Sequence, residues 1–239
     1  MEFTIDFAKV LKIAREEKQQ ASIEIETLGT LPALQLSLKR LDQRLVETED
    51  IQTLACQSGC DWCCHFSVDI RPVEALNILQ YLKQQFSPQQ LLDLRRELAS
   101  NSHILSQLND MERMHQTIKC PLLMEKKCAI YPARPQTCRN YHATDSAGCR
   151  QSFEEPENED IPPEFAAGVY QAGVSHVEAF SKTMEEAGYD CDAYELNSAL
   201  TELLENPDAV QKRFEAKLPA FVGIQGTRVG YELTEEEDE

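Results

Sequence analysis

Four cysteines crowd into nine positions in "CQSGCDWCC", residues 56–64, and this stretch limits the structure of the chain more than any other. Buried apolar thiols would explain a scattered cysteine such as Cys191, but they do not explain four thiols so close together. The chain has nine cysteines, and an odd number argues against a fully paired disulfide framework. Metal ligation and redox chemistry are the two explanations that remain.

The cellular compartment bears on this choice, because a reducing cytosol disfavours structural disulfides. The first residues, "MEFTIDFAKVLKIAREEK", mix charged and apolar side chains, unlike a secretory signal. No later run of apolar residues has the length that a bilayer requires. We therefore expect a cytoplasmic protein with no membrane partner, whose cysteines bind metal or exchange electrons.

The first cluster has the spacing C-x3-C-x2-C-C. If residues 56–64 formed a helix, steps of about 100 degrees per residue would place all four thiols on one face. Neighbouring thiolates repel each other unless a cation neutralises them, and a metal ion supplies that charge. Four sulfurs on one short helix cannot surround an ion tetrahedrally, so we expect ligands from elsewhere in the chain.

A second cluster supplies four more cysteines within "KCPLLMEKKCAIYPARPQTCRNYHATDSAGCR", residues 119–150. This loop-rich segment has too little apolar surface to fix its own shape, and a bound metal would fix it. We expect one small hairpin, formed by "CPLL" and "CAIY" around the turn "MEKK". The candidate metal ligands are Cys56, Cys60, Cys63, Cys64, Cys120, Cys128, Cys138 and Cys149.

Eight thiols allow several arrangements, and the sequence leaves them open. They could form two four-thiolate sites, one iron-sulfur cluster and one zinc site, or one site with several cysteines to spare. Zinc and iron-sulfur clusters are equally good expectations, since tetrahedral thiolate coordination suits both. Neither a catalytic residue nor a substrate can be assigned from the residues.

The two motifs together resemble a known family. "CQSGCDWCC", followed by "CPLL", by "CAIYPARPQTCRNY" and by the further Cys149, is similar to the YkgJ-like CxxCxxCC proteins, described as zinc- or iron-chelating domains. The resemblance covers about residues 56–150 and implies a metal-chelating role for all eight candidate cysteines. A more distant likeness to the flagellin lysine N-methylases implies iron-sulfur and methyl-transfer chemistry, which nothing else in the sequence supports.

Several residues beside the thiols are candidates for tuning the site. Basic residues that could offset thiolate charge, or could simply be solvated, are Arg134, Arg139, Lys119 and Lys127. Of these we expect Arg139, next to Cys138, to act on the site. We expect Pro132 and Pro135 to stiffen the turn that aims Cys138.

Aromatic residues and histidines also lie beside the cysteines. We expect Trp62, Tyr131 and Tyr141 to pack against the site, although a plain core role explains Trp62 equally well. His65 and His142 could each replace a cysteine as ligand. With eight thiols present, a hydrogen-bonding or surface role is the better expectation for both.

The charge of the chain argues against nucleic acid as a partner. The formal net charge is −18, whereas nucleic-acid binding depends on accumulated Lys and Arg. Residues 119–150 differ, because they hold six basic and two acidic residues. This basic island could receive an anionic substrate or cofactor at the second cysteine cluster.

The expected fold is mainly α, a helical domain with a loop-rich, metal-stapled cysteine segment and one small β-hairpin. Leucines at 34, 38, 41 and 45 predict the second of two helices before the first cysteine. Pro72, Ser87 with Pro88, Pro163, and Asn206 with Pro207 mark later helix starts. The predicted divisions are an N-terminal helical extension over 1–50, a cysteine-cluster metal-binding domain over 51–150, C-terminal helices over 151–230 that complete the core, and an acidic tail over 231–239.

Three functional hypotheses follow from these observations. The chain could be a metal-binding protein, with an iron-sulfur cluster or zinc held by thiolates, that supports redox or transfer chemistry. It could be a non-enzymatic module in which zinc stabilises a surface for a protein partner. It could also be a metal chaperone or thiol sensor that uses Cys63 and Cys64 as exchangeable soft ligands.

Overall fold

The computed structural model describes residues 5–161 and 164–228, and this part of the chain is mainly helical, as the sequence predicts. Its helices are α1 (Phe7–Leu28), α2 (Thr30–Val46), α3 (Pro72–Gln85), α4 (Pro88–Leu105), α5 (Asp110–Met114), α6 (Gln136–Asn140), α7 (Ser146–Glu154), α8 (Ala167–Glu186), α9 (Leu196–Glu205) and α10 (Pro207–Glu215). None of the helices described is both long and apolar enough to cross a membrane. The predicted start at Pro163 and the acidic tail over 231–239 lie outside the described residues.

Helices α1, α2 and α8 pack together as a bundle at one side of the molecule. Only Gly29 separates α1 from α2, and its φ of 87° reverses the chain in a conformation that favours glycine. The leucine stripe predicted for α2 is confirmed, since Leu34, Leu38, Leu41 and Leu45 are all buried. The bundle therefore owes its shape to apolar periodicity on neighbouring helices.

A second group of helices, α3, α4, α9 and α10, packs through α3 and α9 and joins the bundle through contacts of α2 with α3. Pro72 begins α3 as predicted, and the Glu74 side chain accepts a hydrogen bond from the Arg71 N–H at 2.8 Å. Ser87 caps α4 by accepting from the Gln90 N–H. The split between α9 and α10 at Asn206 and Pro207 is likewise confirmed.

Two short antiparallel sheets complete the fold. Strand β1 (Asp69–Ile70) pairs with β4 (Tyr194–Glu195), and β2 (Leu123–Met124) pairs with β3 (Lys127–Cys128). The second pair is the hairpin predicted around "MEKK". Its two turn residues adopt positive φ values of 50° and 59°, as a tight two-residue hairpin turn requires.

The cysteine segments differ from the sequence-based expectation in two ways. Residues 56–64 do not form an α-helix, so their four thiols do not share a helical face; the segment is irregular and ends in a 3-10 turn, Trp62–His65. Gly59, with φ of 92°, interrupts any helix there. The second segment contains two short helices that were not predicted, α6 and α7, and α7 occupies the start of the expected connector over 151–164.

A polar cluster lies inside the α1, α2 and α8 bundle. The carboxylate of Glu17 accepts hydrogen bonds from the Ser37 hydroxyl at 2.7 Å and from two nitrogens of Arg40 at 2.8 Å. The Ser37 hydroxyl also lies 3.0 Å from Nε2 of His176. Glu17, Ser37 and His176 are each 0% exposed, so the cluster is structural and out of reach of any substrate.

His176 makes the stability of this bundle depend on pH. Burial, together with the charges of Arg44 and Arg40, lowers the pKa of His176 to about 3. In the unfolded chain His176 becomes protonated below about pH 6.5, whereas in the folded chain it stays neutral down to about pH 3. The free energy of unfolding therefore falls as the pH drops from 6.5 towards 3, by at most about 1.4 kcal/mol per pH unit. We expect His176→Gln to flatten the pH dependence of urea unfolding between pH 6 and 4.5.

The exposed His103 on α4 provides the matched control. We expect His103→Gln to retain the slope of the unmodified chain. Comparing slopes between variants removes the contribution of bound metal, which is common to all of them. An unchanged slope in His176→Gln would show that the buried imidazole does not govern the acid sensitivity of the bundle.

Candidate metal centre

Two backbone hydrogen bonds bring the cysteine clusters together. The Ala55 N–H donates to the Ala143 carbonyl at 2.9 Å, and the Cys120 N–H donates to the Cys64 carbonyl at 2.8 Å. The first bond lies beside Cys56 and the second joins a residue of each cluster. The two segments are therefore neighbours in the fold, as a site shared between them requires.

One group of thiols surrounds Cys138 on α6. Burial raises the pKa of the Cys138 thiol well above its usual value, and the charges of Cys120, Cys63 and Cys128 raise it further. The pKa of Cys120 is raised to about 11 by burial and then by Cys128. These mutual effects place the sulfurs of the β2–β3 hairpin and of α6 within electrostatic reach of each other.

A second group of thiols surrounds Cys149 on α7. Partial burial raises the pKa of Cys149 to about 11, and the charges of Cys56, Cys60 and Cys63 raise it further. Burial also raises the pKa of Cys60, with smaller contributions from Cys56 and Cys63. Cys149 is thus the residue of the second motif that joins the thiols of the first.

Cys63 and Cys64 lie between the two groups, in the 3-10 turn Trp62–His65. Interaction with the Cys64 side chain raises the pKa of Cys63. Cys63 influences the pKa of both Cys138 and Cys149, whereas the backbone of Cys64 is bonded to Cys120. Cys63 therefore lies within electrostatic reach of both groups, and the backbone of Cys64 is fixed to Cys120.

Backbone amides and arginines favour the thiolate form within this environment. The backbone amides of Trp62, Leu122 and Ile130 lower the pKa of Cys60, Cys120 and Cys128 respectively, although burial outweighs them. The charges of Arg134 and Arg139 also lower the pKa of Cys128. Amide dipoles and cations around the sulfurs are what a site for anionic thiolates requires.

All nine cysteines lie within the described residues, and each carries a free thiol. Across residues 5–161 and 164–228, no three or more Cys, His, Asp or Glu side chains are already grouped to hold a metal ion. The raised pKa values keep these thiols protonated at neutral pH, and a bound cation would favour their thiolate forms. The donor chemistry fits zinc or iron, whose usual ligands include thiolates.

Comparison with known families agrees with this chemistry. Residues 55–162 match the family model described as "CxxCxxCC: Putative zinc- or iron-chelating domain". Over these residues the chain is similar to the CxxCxxCC family. The match confirms the YkgJ-like resemblance. No curated protein and no solved structure matched the chain.

Helix α6, which carries Cys138 and lies within the matched residues 55–162, is held from three sides. On α2, Asp42 accepts two hydrogen bonds from Nη1 of Arg139 at 2.7 and 2.6 Å. On α3, the buried carboxylate of Glu74 accepts the Gln136 N–H at 2.6 Å. The third contact is with α8: the side chain of Asn140 packs against Gly173, in the space that a Cβ atom at position 173 would occupy. Two of these contacts come from helices α2 and α8, which lie outside the matched residues 55–162.

Arg139 acts differently from the sequence-based expectation. Its guanidinium donates to Asp42 and to the carbonyls of Pro132 and Arg134, so its hydrogen bonds go to oxygen. It is 3% exposed and fixes the turn from Pro132 to α6. Its charge still reaches Cys128 and lowers the pKa of that thiol. The expected influence on the site is therefore electrostatic, and the main role of Arg139 is to hold the loop.

Aromatic residues cover the first motif. The Phe153 ring on α7 lies 5.2 Å from the Trp62 ring and 4.8 Å from the His65 ring, measured between centroids. Tyr131 is exposed and carries Arg134 over its ring. Trp62 and His65 thus share Phe153 of α7 as an aromatic neighbour, and the Tyr131 ring packs against Arg134.

His142 and Cys191 complete the inventory of candidate ligands. Burial and the charge of Arg134 lower the pKa of His142, which leaves it a neutral imidazole. Cys191 donates from Sγ to the Ser181 carbonyl at 3.5 Å, and burial raises its pKa to about 12. Its charged neighbours are Arg71, Asp190, Glu185 and Asp192. Cys191 is thus a separate, partly buried thiol, as its isolated place in the sequence indicates.

Sequence reasoning missed the residues that position the site. Phe153 was hidden in an acidic stretch, where a lone aromatic residue beside Cys149 was the available signal. Asp42 and Gly173 lie far from the cysteines in sequence and gave no signal. Their roles depend on how α2 and α8 pack on α6, which no local pattern encodes.

Proposed function

We propose that the chain is a metal-binding protein with two four-cysteine sites for zinc or iron. The inner site would use Cys64, Cys120, Cys128 and Cys138, and the outer site would use Cys56, Cys60, Cys63 and Cys149. The observation that supports this division is the charge influence among the thiols: Cys120 and Cys128 act on Cys138, Cys56 and Cys60 act on Cys149, and Cys63 acts on both.

Cys63 and Cys64 are divided between the sites by their other contacts. The Cys64 carbonyl accepts the Cys120 N–H at 2.8 Å, which ties Cys64 to the hairpin of the inner site. Cys60 is influenced by Cys56 and Cys63, which supports Cys63 as an outer ligand. Each motif would then contribute to both sites, and metal binding would fix the two segments to each other.

A bound metal ion would neutralise the negative charge of the thiolates that coordinate it. Four thiolates around zinc form a closed structural site, and around iron and sulfide they hold a cluster. Because the thiols have raised pKa values, binding would release protons and become weaker as the pH falls. The loop-rich segment over 119–150 would depend on this coordination for its shape.

Serine substitutions test the ligand assignment. We expect Cys138→Ser to remove the metal of the inner site and Cys60→Ser to remove that of the outer site, about half of the total in each case. Cys191→Ser is the matched control, because its thiol is partly buried like those of Cys60 and Cys138 but separate from them, and we expect full metal content. Metal stoichiometry is measured by elemental analysis of protein purified without oxygen. Full metal content in both ligand variants would refute the assignment.

The same preparation distinguishes zinc from an iron-sulfur cluster. Iron with acid-labile sulfide and a brown chromophore that reductant bleaches would support the cluster, and with it redox or transfer chemistry. Stoichiometric zinc without colour would favour the alternative, a non-enzymatic module whose site stabilises a surface for a protein partner. The structure offers the same donor atoms to both metals.

A further inference from the structure

We infer that the two sites differ in exchange: the outer site gives up its ion to a competing ligand, while the inner site retains its ion. This inference rests on the proposed function. It starts from the surface exposure of the sulfurs. Cys56 and Cys63 are exposed, whereas the four inner cysteines are all partly buried. An incoming ligand can thus approach the outer site from solvent.

The helices that carry Cys149 and Cys138 also differ in how firmly they are held. Cys149 lies on α7, a helix with no buried residue that packs mainly on the turn Trp62–His65. Cys138 lies on α6, which is fixed by Asp42, by Glu74 and by its contact with Gly173. A peripheral helix separates from its support more readily than one held on three sides. The outer site can therefore open without disturbing the helical core.

Phe153 is the contact that holds α7 in place. Its ring packs against both Trp62 and His65, the residues on either side of Cys63 and Cys64. The start of α7 is capped locally, since Asp145 accepts the N–H groups of Ala147 and Gly148. The cap orders the helix but does not attach it to the turn. Loss of the Phe153 ring should loosen the approach of Cys149 to the other outer ligands.

Ligand exchange at such a site is chemically simple. A thiolate or imidazole of an acceptor forms a bond to the ion while the sulfur of an exposed cysteine leaves and takes up a proton from water. The exposed Lys119, Lys126 and Lys127 of the 119–150 segment would attract an anionic acceptor. The structure thus assigns to the outer site the delivery of a soft metal ion to an acceptor with thiol or imidazole ligands.

The test uses the full chain, reduced, loaded with Zn²⁺ and mixed with excess 4-(2-pyridylazo)resorcinol, whose colour reports released zinc. We expect two phases of equal amplitude, and we expect Cys149→Ser to abolish the fast phase. Phe153→Ala should accelerate the fast phase about tenfold, since it removes two aromatic contacts, and leave the slow phase unchanged. Phe7→Ala, the same substitution at an exposed position on α1, should change neither phase.

The possible contrary results are distinct. Release of both ions in one phase, or equal acceleration of both phases by Phe153→Ala, would overturn the difference between the sites while leaving metal binding intact. A fast phase that Cys138→Ser abolishes and Cys149→Ser retains would overturn the assignment of the outer site. Failure of the reduced chain to bind zinc or iron at all would overturn the proposed function, and this inference with it.

Discussion

Replacing Glu17 with alanine should destabilise the protein by about 3 kcal/mol, because it removes a fully buried carboxylate and leaves the partly buried Arg40 and the buried Ser37 without their shared acceptor. The Glu17 carboxylate is 0% exposed and is the acceptor for Arg40 and for Ser37. Arg40 keeps a second partner in Glu24, which limits the loss. Urea unfolding at pH 7 measures the change in the free energy of unfolding.

Glu16, the preceding residue of α1, is the matched control. It pairs with Arg44 on α2 at 2.9 Å, as Glu17 pairs with Arg40, but the Glu16 side chain is 46% exposed. We expect Glu16→Ala to cost less than about 1 kcal/mol, since solvent screens the pair. Comparing Glu17→Gln with Glu17→Ala separates the contribution of the negative charge from that of the hydrogen bonds, because glutamine is neutral but keeps an acceptor oxygen. Equal losses in Glu17→Ala and Glu16→Ala would show that burial does not set the strength of these pairs.

Replacing Gly173 with alanine should loosen α6 and lower the occupancy of the inner site. A Cβ atom at position 173 would overlap the side chain of Asn140. Either Asn140 leaves the contact or α6 moves away from α8, and overpacking of this kind costs about 2 kcal/mol. Cys138 lies two residues from Asn140, so the site would feel the movement. Urea unfolding and metal analysis of the same sample measure both effects.

A second substitution should rescue the first. Asn140→Ala removes the atoms that the new methyl group would meet, and we expect the double variant to regain most of the lost stability. Gly148→Ala is the matched control on α7, where the added Cβ would meet only Asp145 at an ordinary distance of 3.4 Å. It should leave stability unchanged or slightly higher, as alanine favours a helix. Equal losses of stability in Gly173→Ala and Gly148→Ala, with no recovery in the double variant, would refute the contact between Asn140 and Gly173.

Local signals in the sequence predicted most of the helical frame. The leucine stripe of α2, Pro72, the Ser87 and Pro88 pair, and the Asn206 and Pro207 pair each act through neighbouring residues alone. The hairpin between β2 and β3 was predictable for the same reason. The CxxCxxCC resemblance was readable as well, since cysteine spacing is a linear pattern.

The geometry of the site could not be predicted in this way. The first motif follows an irregular path, with Gly59 at positive φ. The spacing of its cysteines alone is equally compatible with a helix. Helix α6 has five residues, too few to be stable from propensity, and exists because Asp42, Glu74 and Gly173 hold it. Such contacts join residues far apart in the sequence, 97 positions for Asp42 and Arg139 and 62 positions for Glu74 and Gln136.

The contacts that fix α6 determine how much of the chain is needed to fold the cysteine segment on its own. A fragment cut at the borders of the family match, residues 55–162, would lose the Asp42 carboxylate that secures Arg139 and the Gly173 backbone against which Asn140 rests. The smallest transplantable unit therefore includes α2 and α8. Grafting the cysteine motifs onto another scaffold would require that scaffold to reproduce a carboxylate and a bare helix surface on either side of Cys138.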